Sequence, residues 1–103
     1  MTRDELSIDV VPGEATVAIG LTGEIDFGNV AQMRTALLDA SASGSQVVVD
    51  LSGVSFIDSM ALGVLVQAKR NLEHNGSRLV VRHPTPAVHR VLTVAGLAEY
   101  LLG

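Results

Sequence analysis

Cysteine is absent from this chain, which excludes disulfide staples, thiolate chemistry and Cys-ligated zinc. Tryptophan is absent as well, and one Tyr and two Phe supply no aromatic platform on which single-stranded bases would stack. Seven basic residues against eleven acidic ones give a net charge of -4. That is the wrong sign for a protein that holds nucleic acid by its phosphates. The longest stretch of low polarity, Met60–Val66, falls far short of the ~20 residues that span a bilayer. Met1–Glu5 carries two acids where a secretory leader would be basic. The expectations are no nucleic-acid partner, no membrane insertion and a cytoplasmic location.

What remains is a chain of 103 residues, 48% apolar and only 17% charged. These proportions specify one folded domain rather than a disordered segment. Its core must be built from Val, Leu, Ile and Ala.

Strands and helices alternate along it. Leu6–Val10 alternates apolar with polar, Val11–Glu14 carries turn chemistry, and Thr16–Leu21 is a second strand, so the N-terminus reads as an antiparallel hairpin. Asn29 and Gln32 fit a capping box, with the Asn29 side-chain oxygen accepting from a free backbone N–H. Val30, Met33, Leu37 and Leu38 follow at helical spacing, and Ser41–Ser45 closes the helix. Gln46–Leu51 is β-branched with little alternation, the pattern of a strand covered on both faces. Ser52–Ser59 leads into a second helix whose apolar face is Ala61, Leu65, Ala68 and Leu72. Lys69 and Arg70 suit its C-terminal dipole, and Asn75-Gly76 supplies a left-handed cap. Arg78–Arg82 is a short strand. Thr85-Pro86 opens a third helix with Val88, Val91, Leu92 and Ala95 as its stripe, and Gly96 stops it. The tail Leu97–Leu102 reads as a short strand or a frayed helical turn. This order implies an α/β domain with parallel strands joined by right-handed crossovers.

Function in such a sheet collects at the carboxyl ends of the strands. Three connections lie there: Thr22–Gly28, Ser52–Ser59 and His83–Pro86. The second is the richest, because Asp58 and Ser59 stand at a helix entry, where free backbone amides and the dipole favour an added anion. By residue type they are equally ordinary N-caps, and Asp26 is equally a turn residue bonding the next amides. Spacing alone settles neither.

Little points to catalysis. Ser59 has no Gly-x-Ser-x-Gly elbow, His74, His83 and His89 show no metal-ligand spacing, and the single lysine, Lys69, lies within a helix. No phosphate-binding loop is present, so no cofactor is expected.

Phe56–Val64, reading Phe-Ile-Asp-Ser-Met-Ala-Leu-Gly-Val, resembles the phosphorylation-site signature of the STAS family, the anti-sigma factor antagonists. Leu21–Asp26 is similar to that family's first loop, Val47–Ser52 to its central strand, and Pro86–Leu92 with Ala95–Leu97 to its third helix. Four blocks in order cover nearly the whole chain. The resemblance implies one STAS domain over residues 1–103, with a mixed, mostly parallel sheet of four to five strands, an N-terminal hairpin and three or four helices. It implies binding to an anti-sigma factor that is also a serine kinase, freeing a sigma factor. Phosphorylation of Ser59 would break that complex, and a serine phosphatase would restore it. Asp26, Asp58, Ser59 and Met60 are the implied partner-binding residues. Met60-Ala61 stands where the family writes Ser or Thr followed by Gly. The same likeness allows a second role, as accessory subunit of a lipid-transport ABC complex or stress-signalling scaffold that docks without phosphorylation. A weak homodimer through Val10, Val11, Leu101 and Leu102 is a further expectation. Many relatives continue into a further helix beyond the position of Gly96, so one sheet face is expected to be less covered here.

Overall fold

The computed structural model describes residues 5–42 and 46–102. Four strands, β1 (Ser7–Val11), β2 (Thr16–Ile25), β3 (Gln46–Ile57) and β4 (Leu79–Arg82), form one sheet in the order β1-β2-β3-β4. β1 and β2 pair antiparallel, and β2, β3 and β4 run parallel. Helix α1 (Val30–Ala42) links β2 to β3, and α2 (Ser59–His74) links β3 to β4. α3 (Pro86–Val94) and α4 (Ala98–Leu102) follow. Right-handed crossovers in an order that never reverses place both linking helices on one face. The terminal segment Ser43–Ser45 of the expected helix stop lies outside the described residues.

Burial shows that this face carries the core. Val17, Ile19, Leu21 and Ile25 of β2 alternate inward, as do Val47, Val49 and Leu51 of β3 and Leu79 and Val81 of β4. They meet Val30, Met33 and Leu37 of α1, Leu62, Leu65 and Leu72 of α2, and Val88, Leu92 and Leu101 from the last two helices. The opposite face carries no helix among the described residues. The expectation that Gln46–Leu51 is covered on both sides is therefore corrected: Val48 and Asp50 between the inward residues are half-exposed. The missing alternation had a different origin. Val48 takes a β-branched residue because β-sheet geometry suits it, not because it is enclosed.

β2 and β3 both run further than expected. Ser52, Gly53 and Ser55 interrupt the apolar pattern and read as loop, yet they are strand. Gly20 lies opposite Asp50, Thr22 opposite Gly53 and Glu24 opposite Phe56, so β3 carries two extra residues against β2. Each extra residue lengthens an inward spacing of two to three, which brings Leu51, Val54 and Ile57 all into the core. Gly53 is needed at this irregularity, because a Cβ there would stand 2.7 Å from Thr22 Oγ1 and 3.2 Å from the Leu21 carbonyl oxygen.

Helix faces differ in detail from the periodicity. Leu38 is 56% exposed and Ala40 takes its inward place. Ala95 is exposed, and Lys69 is buried. The Lys69 ammonium donates to the Leu79 carbonyl at 3.0 Å, pairs with Glu73 Oε2 at 3.0 Å and lies 5.1 Å from the Tyr100 ring centre. A long apolar stem with a polar tip explains how one lysine serves a core position. The tail is helical, not a strand, and Leu101 is fully buried. That removes Leu101 from the expected dimer edge and covers the sheet beside β4.

Candidate functional site

The carboxyl ends of β2 and β3 bring two connections together. Pairing of Ile25 with Ile57 ends the ladder, and the Asp58 amide donates to the Ile25 carbonyl at 3.1 Å. Asp58 is the N-cap of α2. Its Oδ1 accepts from the Ala61 amide at 2.9 Å, satisfying one of the free donors of the first turn. Its Oδ2 accepts from the Phe27 amide at 3.0 Å, 31 positions away in the chain. One carboxylate thus joins the β2–α1 loop to the start of α2.

That loop is organised by Asp26 and Asn29. Asp26 is 8% exposed, and its Oδ1 accepts from the Gly28 amide at 2.9 Å, while its carbonyl accepts from Val30 at 2.8 Å. The Asp26 carboxylate thereby holds the turn ahead of α1, the turn role open to it by residue type. Asn29 Oδ1 instead accepts from the Asp26 amide at 3.0 Å, and its Nδ2 donates to the Glu24 carbonyl at 2.8 Å. The Asn29 side chain turns backwards to hold the end of β2, so no capping box forms with Gln32.

Ser59 is exposed as the first residue of α2. Met60 beside it is 54% exposed and Phe27 is 77% exposed. Phe56, outward-facing near the end of β3, is 49% exposed. Both phenylalanines of a chain with only two therefore face solvent on the segments that flank Asp58. The sequence reading did not single out Phe27; its rarity and its place in a strand-end connection were the available signal. The structure brings Asp26, Asp58, Ser59 and Met60 to one end of the sheet.

The third connection is structural. Thr85 Oγ1 donates to the Val54 carbonyl at 2.8 Å and accepts from the Val88 amide at 3.4 Å, locking α3 onto β3. His83 has φ 55, a left-handed conformation uncommon outside glycine. Asp50, near it, has its carboxyl held below the ordinary 3.8 by hydrogen bonds from the Ser52 amide and hydroxyl, with His83 adding to the effect. Among the described residues no three His, Cys, Asp or Glu side chains are grouped as metal ligands, and no helix is long and apolar enough to cross a membrane.

A mixed four-stranded sheet with helices on one face, and an exposed serine directly after the aspartate that caps its helix, define an α/β domain organised around one strand-end surface. A family model described as Mlab, STAS domain, matches residues 8–103, and the chain belongs to the STAS domain family. An anti-sigma F factor antagonist of Lysinibacillus sphaericus is 32% identical over 89 residues, covering 84% of this chain and 76% of that relative. The anti-sigma factor antagonist SpoIIAA in its unphosphorylated form superposes with a TM-score of 0.77 at 28% identity, over 93% of this chain and 84% of that one. The Bacillus cell fate determinant SpoIIAA in the phosphorylated form superposes with a TM-score of 0.72 at 26% identity, over 96% of this chain and 89% of that one.

Proposed function

We propose that this chain is an anti-sigma factor antagonist: it binds an anti-sigma factor with serine kinase activity, frees a sigma factor, and is switched off by phosphorylation at Ser59. The observation that carries the reading is the Ser59 hydroxyl, exposed at the first turn of α2 beside the Asp58 bridge. Phe27 and Met60 supply apolar surface around it, the kind of exposed aromatic and Met side chain that anchors interfaces. Asp58 and Asp26 act by shaping the two segments on which that surface stands, since the bonds given above commit their carboxylates to backbone amides.

The switch follows from charge. Phosphorylation adds ~1.5 to 2 negative charges in the centre of the docking face. The amides at the start of α2 stabilise that anion, so the modified state is tolerated by the fold. The partner, docked over the same hydroxyl, loses its fit. A loss of ~2.8 kcal/mol weakens the complex about a hundredfold. The protein then works by binding and release rather than by catalysis. A serine phosphatase acting on the exposed phosphate resets it.

Incubation with the kinase anti-sigma factor of the same organism and ATP, followed by mass spectrometry, tests the reading. Phosphate on Ser59, loss of the complex, and an ATP-insensitive complex for Ser59→Ala are the expected results. Phosphate on another residue, or none, overturns the switch.

A further inference from the structure

The uncovered sheet face carries an ordered pattern of side chains. Register places Asp9, Gly20, Asp50 and Arg82 in one row across all four strands. The adjacent row, two residues along, is Val11, Ala18, Val48 and Val80. Apart from Val80, which is 5% exposed, these residues line a shallow groove of about 490 Å³, with His83 at its β4 end. Gly20 leaves its floor open, because a Cβ there would come no closer than 4.0 Å to any neighbour. Val11 is 64% exposed, Ala18 is exposed, and Val48 is half-buried. Asp9 and Arg82, at opposite ends of the charged row, are both exposed.

From this pattern we propose that the open sheet face pairs with a second copy of the chain, about a two-fold axis parallel to the strands. Rotation about that axis exchanges left and right across the row. Asp9 on β1 then faces Arg82 on β4 of the other copy, and Arg82 faces the other Asp9, giving two symmetric ion pairs. Asp50 faces the space left by Gly20 of the other copy, and its charge stays partly satisfied by the Ser52 amide at 2.8 Å. In the apolar rows Ala18 lies over Val48, and Val11 lies over the position of Val80, whose side chain is already buried within its own chain. The other face-to-face choice, an axis across the strands, sets Asp9 against Asp9 and is disfavoured by like charge. Charge order along the row therefore selects one symmetry.

The area limits the strength. Strands ~4.8 Å apart and same-face residues ~6.8 Å apart give roughly 300 Å² per copy. That is well below the ~1,200 Å² total of stable interfaces, so the pair is transient and concentration-dependent. In this arrangement parallel strands of both copies run the same way, so both Ser59 sites project from the same end of the pair. Neither site is covered, and the inference does not depend on what binds there.

Sedimentation equilibrium up to millimolar protein at low salt tests it. The wild type is expected to rise from 10.8 kDa towards twice that mass. Asp9→Lys alone and Arg82→Glu alone are each expected to associate at least about tenfold more weakly. An equimolar mixture of these two variants is expected to regain the pair, because each supplies the charge the other needs. That recovery also shows that both variants are folded. A wild type that stays monomeric, a pair indifferent to both reversals, or a mixture that fails to recover would overturn the proposal. A pair lost only on mutating Val10 would assign the contact to the β1 edge instead, and would overturn it equally.

Discussion

Both carboxylate oxygens of Asp58 bind backbone amides, one within its own helix and one on a loop 31 positions away. Asp58→Ala removes both acceptors, and a lost cap of this kind costs ~0.5–2 kcal/mol. Urea unfolding should place the variant near the upper end, because the Phe27 amide loses its partner too. Ser59→Ala in the same assay should move stability by less than ~0.5 kcal/mol, since Ser59 is exposed and is not the cap. The contrast separates the residue that builds the site from the residue proposed to be modified. Hydrogen bonds from Ser52 favour the ionised form of Asp50. Its folded pKa lies below the ordinary 3.8, so its contribution to stability is complete above that value and is lost as pH falls through the folded pKa. The stability difference between wild type and Asp50→Asn, measured by urea midpoints from pH 7 down to pH 2.5, should hold constant to about pH 4 and shrink below it.

At the level of elements, the ends of the helices are set by local chemistry. α2 ends in a Schellman motif, with Ser77 N–H donating to the Leu72 carbonyl at 2.8 Å and Gly76 N–H to Glu73 at 3.1 Å. α3 repeats it, with Leu97 donating to Leu92 at 2.8 Å and Gly96 to Thr93 at 3.0 Å. Gly96 has φ 74, so Gly96→Ala should destabilise by ~1–2 kcal/mol even though open space surrounds it. The lost stability would appear as a lower thermal midpoint. The tie between elements is Lys69, which links α2 to β4 through the Leu79 carbonyl and to α4 through Tyr100. Lys69→Ala should cost ~2 kcal/mol through the charged hydrogen bond and the ring contact together. Its removal should also raise amide exchange in α4 ahead of the rest of the chain.

For the whole molecule, one apolar cluster runs from β2 through the helices to Leu101. A single core unfolds as a unit. Tyr100 is the only tyrosine and Trp is absent, so intrinsic fluorescence reports α4 alone while far-UV dichroism reports every element. The two denaturation curves should coincide; a fluorescence transition that precedes the other would mean that α4 detaches first. The architecture was largely readable from the chain. Asn75-Gly76 and Thr85-Pro86 mark helix ends because caps demand those residue types at those places. Asp58-Ser59 was visible as a helix entry for the same reason. Residues Ser52–Ile57 were not readable as strand, since two added residues break the period of two that identifies a strand. Asn29 misled because a side chain that accepts hydrogen bonds has no local preference between the amide ahead and the amide behind. Periodicity and capping chemistry act between near neighbours, and so α/β order, helix ends and the candidate serine follow from residue types alone. Long-range packing decided the rest: which face of the sheet stayed open, that Lys69 went inside and Phe27 outside, and that Asp58 reached across to the β2–α1 loop. Each depends on residues that the fold, not the chain order, makes neighbours.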